Sequence, residues 1–214
     1  MARNAGLQVP EFYLSDNGKL LISRRFDLGE NGEALGFEDF CVLQGKGTRE
    51  KYDASLESCA NTIRQFVSPE YQHQALYDFF KLTLINIILR NGDAHLKNTG
   101  VIYPDLKGYK LGEIPMVKRQ LAPFFDIVST VPYIPLDTMA LSLTGSKRWP
   151  KWKVLQRFAV QHCALSNKKI NQALEEVKQA SETTFPLLNE LTRQHEKFSP
   201  IAEVMAGLMR QPCF

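Results

Sequence analysis

The 214-residue sequence predicts an α+β protein, mainly helical, with small β-hairpins gathered around one loop-built site. Three observations carry that prediction. Two strand-like segments near the start flank Asp16-Asn17-Gly18, a short-range hairpin signal because Asn and Gly tolerate positive φ. A helix-length stretch ending at Leu89 is apolar almost all the way round in its second half, which places it in a core centre. From Pro150 onward the apolar spacing is helical nearly without interruption.

The elements follow in order. Glu11-Phe12-Tyr13-Leu14 and Lys19-Leu20-Leu21-Ile22-Ser23-Arg24 supply the hairpin strands. Residues 29 to 36, with Gly29, Asn31, Gly32 and Gly36, read as a loop, and Glu38-Asp39-Phe40 as the start of a short helix. Leu56, Ala60, Ile63 and Val67 fall at helical spacing within 54–67. Ser68-Pro69 then starts a helix over about 70–89, which Asn91-Gly92 ends. Thr99-Gly100-Val101-Ile102-Tyr103 reads as a strand, 104–108 as a turn and Tyr109-Lys110-Leu111 as the returning strand. Helices are expected at 152–165, 168–181, 185–196 and 201–209, with no internal repeat, low-complexity tract or linker.

Composition narrows the function classes. Hydrophobic content of 44% with 23% charged residues describes an ordinary globular domain large enough for a sizeable core. A net charge of +3 admits a phosphate-bearing ligand but argues against a nucleic-acid coat. Cys41, Cys59, Cys163 and Cys213 show no CxxC pair, so buried thiols in a reducing, cytoplasmic setting are expected. The apolar stretch 82–89 is interrupted by Thr83 and Asn86 and is too short to cross a bilayer.

The chemistry is concentrated in Arg90-Asn91-Gly92-Asp93-Ala94-His95-Leu96-Lys97-Asn98. An Asp and an Asn five positions apart, in a short loop fed by a buried helix, is the layout of a phosphoryl-transfer loop. There the Asp takes the proton of the attacking hydroxyl and the Asn carbonyl oxygen holds Mg²⁺. Asp126, flanked by Phe125 and Ile127, supplies the second metal ligand, since a carboxylate in so apolar a setting is costly unless paired or metal-bound. The bland alternative is that Asp93 and Asn98 are merely the polar residues that favour helix ends.

Lys97 is either a neutraliser of phosphoryl charge in flight or a solvated loop lysine. His95 is expected to brace the loop, and His73, His162 and His195 to be structural or exposed. Arg24-Arg25-Phe26-Asp27 is either a charged strand edge or the lining of an adenine slot with Asp27 near a ribose. Thr144-Gly145-Ser146-Lys147 lacks the first Gly of a phosphate loop and reads as a polar turn. Trp149 and Trp152 are expected to anchor the C-terminal helices.

Several of these runs resemble the C-terminal domain of HipA-type toxin kinases. They are Asn91 to Asn98, Leu121-Ala122-Pro123-Phe124-Phe125-Asp126-Ile127-Val128-Ser129-Thr130, and Met139-Ala140-Leu141-Ser142-Leu143-Thr144-Gly145. Ala5-Gly6-Leu7-Gln8-Val9-Pro10, Arg25-Phe26-Asp27 and Lys51-Tyr52 join them, so the likeness covers nearly the whole chain. The resemblance implies a protein-kinase-like C-lobe with a remnant of the N-lobe and hinge at 1–28 and the helix-rich HipA-like domain at 29–214.

It implies an ATP- and Mg²⁺-dependent serine/threonine kinase of a toxin–antitoxin system. Asp93 and Lys97 would be catalytic, Asn98 and Asp126 metal ligands, and Phe26 and Asp27 the hinge that meets adenine and ribose. Implied partners are a protein substrate, with aminoacyl-tRNA synthetases among the family's targets, and a helix-turn-helix antitoxin through which any DNA contact would run. Family members carry an N-terminal subdomain, a phosphate-covering loop and an ATP-clamping lysine ahead of the region that begins here at Ala5-Gly6-Leu7. A separately encoded N-lobe is therefore a further expected partner. The alternative expectation is a catalytically silent module that binds an antitoxin or target.

Overall fold

Polar side chains close the first hairpin. In a computed structural model that describes residues 1–104, 110, 112 and 117–210, Ser15 Oγ and Lys19 N both donate to Asn17 Oδ1, and Gly18 takes φ +67°. Strands β1 (Phe12–Leu14) and β2 (Leu21–Ser23) then pair antiparallel, with Phe12 opposite Ser23. All six of their residues are exposed, including Phe12, Tyr13, Leu14, Leu21 and Ile22.

The next segment departs from expectation. Gly36–Asp39 is a strand, β3, and the short helix α1 (Phe40–Leu43) begins only after it. Asp39 is the N-cap, its Oδ1 accepting from Val42 N at 3.0 Å, so the residue read as helical is the one that starts the helix. β3 lacked an alternating signal of its own. It exists because β4 (Gly100–Tyr103) pairs with it antiparallel, Asp39 opposite Gly100, and β5 (Gln120–Leu121) extends the sheet on the other side. The strand at 99–103 is thus found, while the expected turn and return at 104–111 lie largely outside the described residues.

Helix α2 (Leu56–Phe66) starts at Ser55, whose Oγ accepts from Ser58 N. Helix α3 (Pro69–Ile88) starts, as read, at Ser68-Pro69, and its second half is buried on nearly every side. It packs against α2, β5 and the long α5 (Asn167–Gln194), so it runs through the core centre. Phe80, Leu84, Ile85 and Ile87 are at most 1% exposed; truncating Phe80 to Ala would cost about 3–5 kcal/mol. One charged side chain shares that core. Lys81 Nζ donates to Ala5 O at 2.8 Å and pairs with Glu176 at 3.2 Å, tying the N-terminal segment and α5 to α3.

At the C-terminal end α6 (Ser199–Arg210) covers the helix expected at 201–209, while α4 (Trp152–Gln161) starts where expected and stops four residues short of 165. The two helices expected at 168–181 and 185–196 are instead one, α5, with Pro186 inside it. Pro186 removes the backbone donor that would have met the carbonyl of Glu182 one turn back, and the helix runs on without it. Beyond it Leu188 is still buried in the core, so tertiary packing carries the helix past the proline. Cys41, Cys59 and Cys163 are buried free thiols, with Cys59 and Cys163 pushed up to about 12 by burial; Cys213 lies outside the described residues. Thr144-Gly145 forms a tight turn with φ +50° and +76°, closed by Leu143 and Ser146.

Candidate active site

The buried end of α3 delivers a loop held from several sides. Arg90 leaves the helix with φ +53°, a left-handed exit for a non-glycine residue. Asn91 is 3% exposed. Its amide donates to Asn86 Oδ1 at 3.0 Å and its Oδ1 accepts from Asp93 N at 3.1 Å, so the helix itself anchors the main chain of Asp93. Gly92 N donates to Thr130 Oγ1 at 2.9 Å, and Thr130 Oγ1 in turn donates to Arg90 O. His95 N bonds to Asp93 O at 2.8 Å and Asn98 N to His95 O at 3.0 Å, winding 93–98 into a compact turn.

Asp126 arrives from the opposite side. After β5, Ala122 N bonds to Gly100 O, Phe124 N to Gln8 O, and Ser129 Oγ to Leu89 O at 2.6 Å, so 122–130 is threaded between the N-terminal segment and the end of α3. Asp126 itself sits at φ +57°, a conformation costing of order 1–3 kcal/mol that persists only where the surroundings over-determine it.

The two arms meet at Asn98 and Asp126. Asn98 Nδ2 donates to Asp126 Oδ2 at 2.7 Å, while Asn98 Oδ1, buried, has no hydrogen-bond partner. A buried carbonyl oxygen without a donor is costly in an apolar medium and is an oxygen ligand in waiting. Mg²⁺ is bound by one or two protein oxygens together with phosphate oxygens and water, so an amide oxygen beside a carboxylate fits it. Among the described residues no three His, Cys, Asp or Glu side chains gather into a metal cage. A cavity of about 30 Å³ borders the junction, lined by Asn86, Asn91, His95, Asn98, Phe125 and Asp126.

Asp93 stands in the same loop with a different partner. Tyr52 Oη donates to Asp93 Oδ1 at 2.7 Å, and the Tyr52 ring meets His95 edge-on at 5.3 Å. His95 is held below its ordinary value first by burial and then by Lys51, while Asp93 and Asp126 both act on it in the opposite sense. That imidazole is therefore within electrostatic reach of both carboxylates. Its Nδ1 is buried without a hydrogen-bond partner.

Lys97 Nζ lies 2.7 Å from Asp39 Oδ2, which raises the lysine above its ordinary value and joins the loop to the start of α1. Phe26 packs in a cluster edge-on to Phe37 and tilted on Phe125, its ring centroid 5.3 and 5.4 Å from theirs, so the 24–27 segment abuts the residue before Asp126. Asp27 is gripped by Arg25, Nε to Oδ1 at 2.9 Å, which holds its carboxyl below the usual range. Asp39 and Asn86 are the neighbours that spacing did not single out, and Tyr52 entered the sequence reading only beside Lys51 in the family resemblance, with no role attached.

Comparison with solved structures defines the class. Shewanella oneidensis MR-1 HipA, solved with HipB and its operator DNA, superposes with TM-score 0.70 at 17% identity, over 98% of this chain and 52% of that one. The Helicobacter pylori proinflammatory kinase CtkA superposes with TM-score 0.63 at 16% identity, over 98% and 78%. The fold is kinase-like.

The chain belongs to the HipA-like C-terminal domain family, whose model matches residues 1–185. Among curated relatives, "Putative kinase Y4dM" of Sinorhizobium fredii is 30% identical over 163 residues, covering 69% of this chain and 36% of that protein. "Putative kinase Y4mE" of the same organism is 27% identical over 160 residues, covering 69% and 34%. The chain thus spans about one third of the length of these relatives.

Proposed function

We propose that the chain is the catalytic part of a HipA-like serine/threonine kinase that transfers the ATP γ-phosphate to a protein hydroxyl. The observation that carries this reading is the Asn98–Asp126 junction, whose buried Oδ1 faces no donor, with Asp93 held independently in the same loop. Asp93 would accept the proton as the acceptor oxygen bonds to the γ-phosphorus and ADP departs. Asn98 Oδ1 and Asp126 would hold Mg²⁺, which offsets the charge of the phosphate oxygens.

Phe26 would lie against adenine beside Phe37 and Phe125. Asp27 would receive the ribose hydroxyls, since a carboxylate has about four acceptor sites and Arg25 takes only two. Lys97 would exchange Asp39 for a phosphate oxygen to neutralise charge in the transition state. An N-lobe, on the same or another polypeptide, would complete the phosphate side; the exposed apolar hairpin β1–β2 offers it a surface. A helix-turn-helix antitoxin is the further proposed partner, and HipA of Shewanella oneidensis, solved with HipB, is the basis for it.

The test is ATP turnover with Mg²⁺, for the chain alone and with a HipA-family N-terminal region added. Asp93→Asn and Asp126→Asn should each lower kcat about 100-fold or more. Unchanged turnover in both variants would refute the site. Calorimetry that finds no nucleotide binding in either setting would favour the second reading, a silent docking module, which the same exposed hairpin supports.

A further inference from the structure

The turn that carries Tyr52 is locked from outside itself. It follows a 3₁₀ turn at Thr48–Glu50, in which Gly47 N donates to the Glu50 carboxylate at 2.9 Å. Lys51 O accepts from Leu96 N at 3.1 Å, and Tyr52 O accepts from Lys147 Nζ at 3.2 Å. The ring is set edge-on to His95, and Lys51 Nζ lies 4.9 Å from its centroid. The phenol therefore reaches Asp93 from a platform fixed to the 91–98 loop and to the 143–147 turn.

We propose that Tyr52 is a positioning residue, whose hydroxyl fixes Asp93 Oδ1 and leaves Oδ2 as the oxygen that receives the acceptor proton. Its catalytic part rests on the kinase reading above. The Asn91 amide fixes only the main chain of Asp93. The terminal torsion of an Asp side chain is broad and roughly two-fold, so without a second point of attachment the carboxylate plane would swing. A general base must stand within hydrogen-bond reach of the proton it takes, and a swinging carboxylate spends less time there.

The groups facing Tyr52 are Asp93, His95, Lys51 and Lys147. Its bond to Asp93, then burial, raise the phenol above its ordinary value. Tyr52 thus remains a protonated donor at neutral pH.

The experiment compares wild type, Tyr52→Phe, Asp93→Asn and the double variant. Phe keeps the ring on His95 and removes only the hydroxyl. Tyr52→Phe should lower kcat about tenfold to hundredfold, with the KM for ATP within about twofold. In the Asp93→Asn background it should bring no further loss, because the hydroxyl acts through that carboxylate.

Independently of turnover, the ζ-carbon resonance of Tyr52 in tyrosine-labelled protein should titrate at lower pH in Asp93→Asn than in wild type. An undiminished kcat in Tyr52→Phe, additive losses, phosphate recovered on Tyr52 itself, or a titration that ignores Asp93→Asn would each overturn the proposal. Should wild type turn over no ATP at all, the kinase reading falls, and the titration alone decides whether Tyr52 holds Asp93.

Discussion

A methyl group at Gly92 would overlap the Asp137 carboxylate and lie 2.7 Å from the Thr138 carbonyl oxygen. The second of these is backbone and cannot swing aside, so the loop must move instead. Gly92→Ala should therefore destabilise the protein by about 1–3 kcal/mol, and should lower kcat by displacing Asp93. Denaturant midpoints and turnover measured on the same samples check both. The meeting of Asn98 with Asp126 beside the loop of Asp93 was legible in the sequence because five-residue spacing after a buried helix, and an acid among aromatics, are local facts. The bonds that Tyr52 and Asp39 make to that loop were not, since their partners lie 41 and 58 residues away. Lys81, buried in the middle of an apolar helix, could not be foreseen without Ala5 O and Glu176 beside it.

At the scale of elements, local signals succeeded where the chain punctuates itself. Asp16-Asn17-Gly18 marked the first hairpin and Ser68-Pro69 marked the start of α3. They failed where a partner strand or a packed face decides. β3 is a strand because β4 lies beside it, and α5 runs through Pro186 because Leu188 still has a core to enter. Replacing that proline tests the point. Pro186→Ala restores a helical donor within α5, and should stabilise the protein by about 1–3 kcal/mol. A rise in thermal midpoint checks it; an unchanged or lower one would mean that the proline is matched to its neighbours.

Across the whole molecule, Lys81 joins three parts of the chain through Ala5, Asp78 and Glu176. Burial pushes the Glu176 carboxyl up, but hydrogen bonds from Gln172 and Lys81, with the lysine's charge, outweigh it and hold it below its ordinary 4.5. The folded state thus favours the ionised form. The stability this contributes is complete above pH 4.5 and is lost as pH falls through the lower folded value. Asp78, raised first by burial, works in the opposite direction and offsets part of it. Glu176→Gln should therefore flatten the loss of stability on acidification, read from denaturant midpoints taken from neutral pH down through the carboxylate range.

The long helix α5 also orders events in time. Asn4 Nδ2 donates to Thr183 Oγ1, 179 residues further along, and the tip of the first hairpin at Gly18 lies against the His195 ring at the helix end. Asn4 and Gly18 leave a ribosome long before it has translated what they grip. Until α5 emerges, the opening segment waits without its distal fastenings, and closing so wide a span belongs to the slow, late steps of folding.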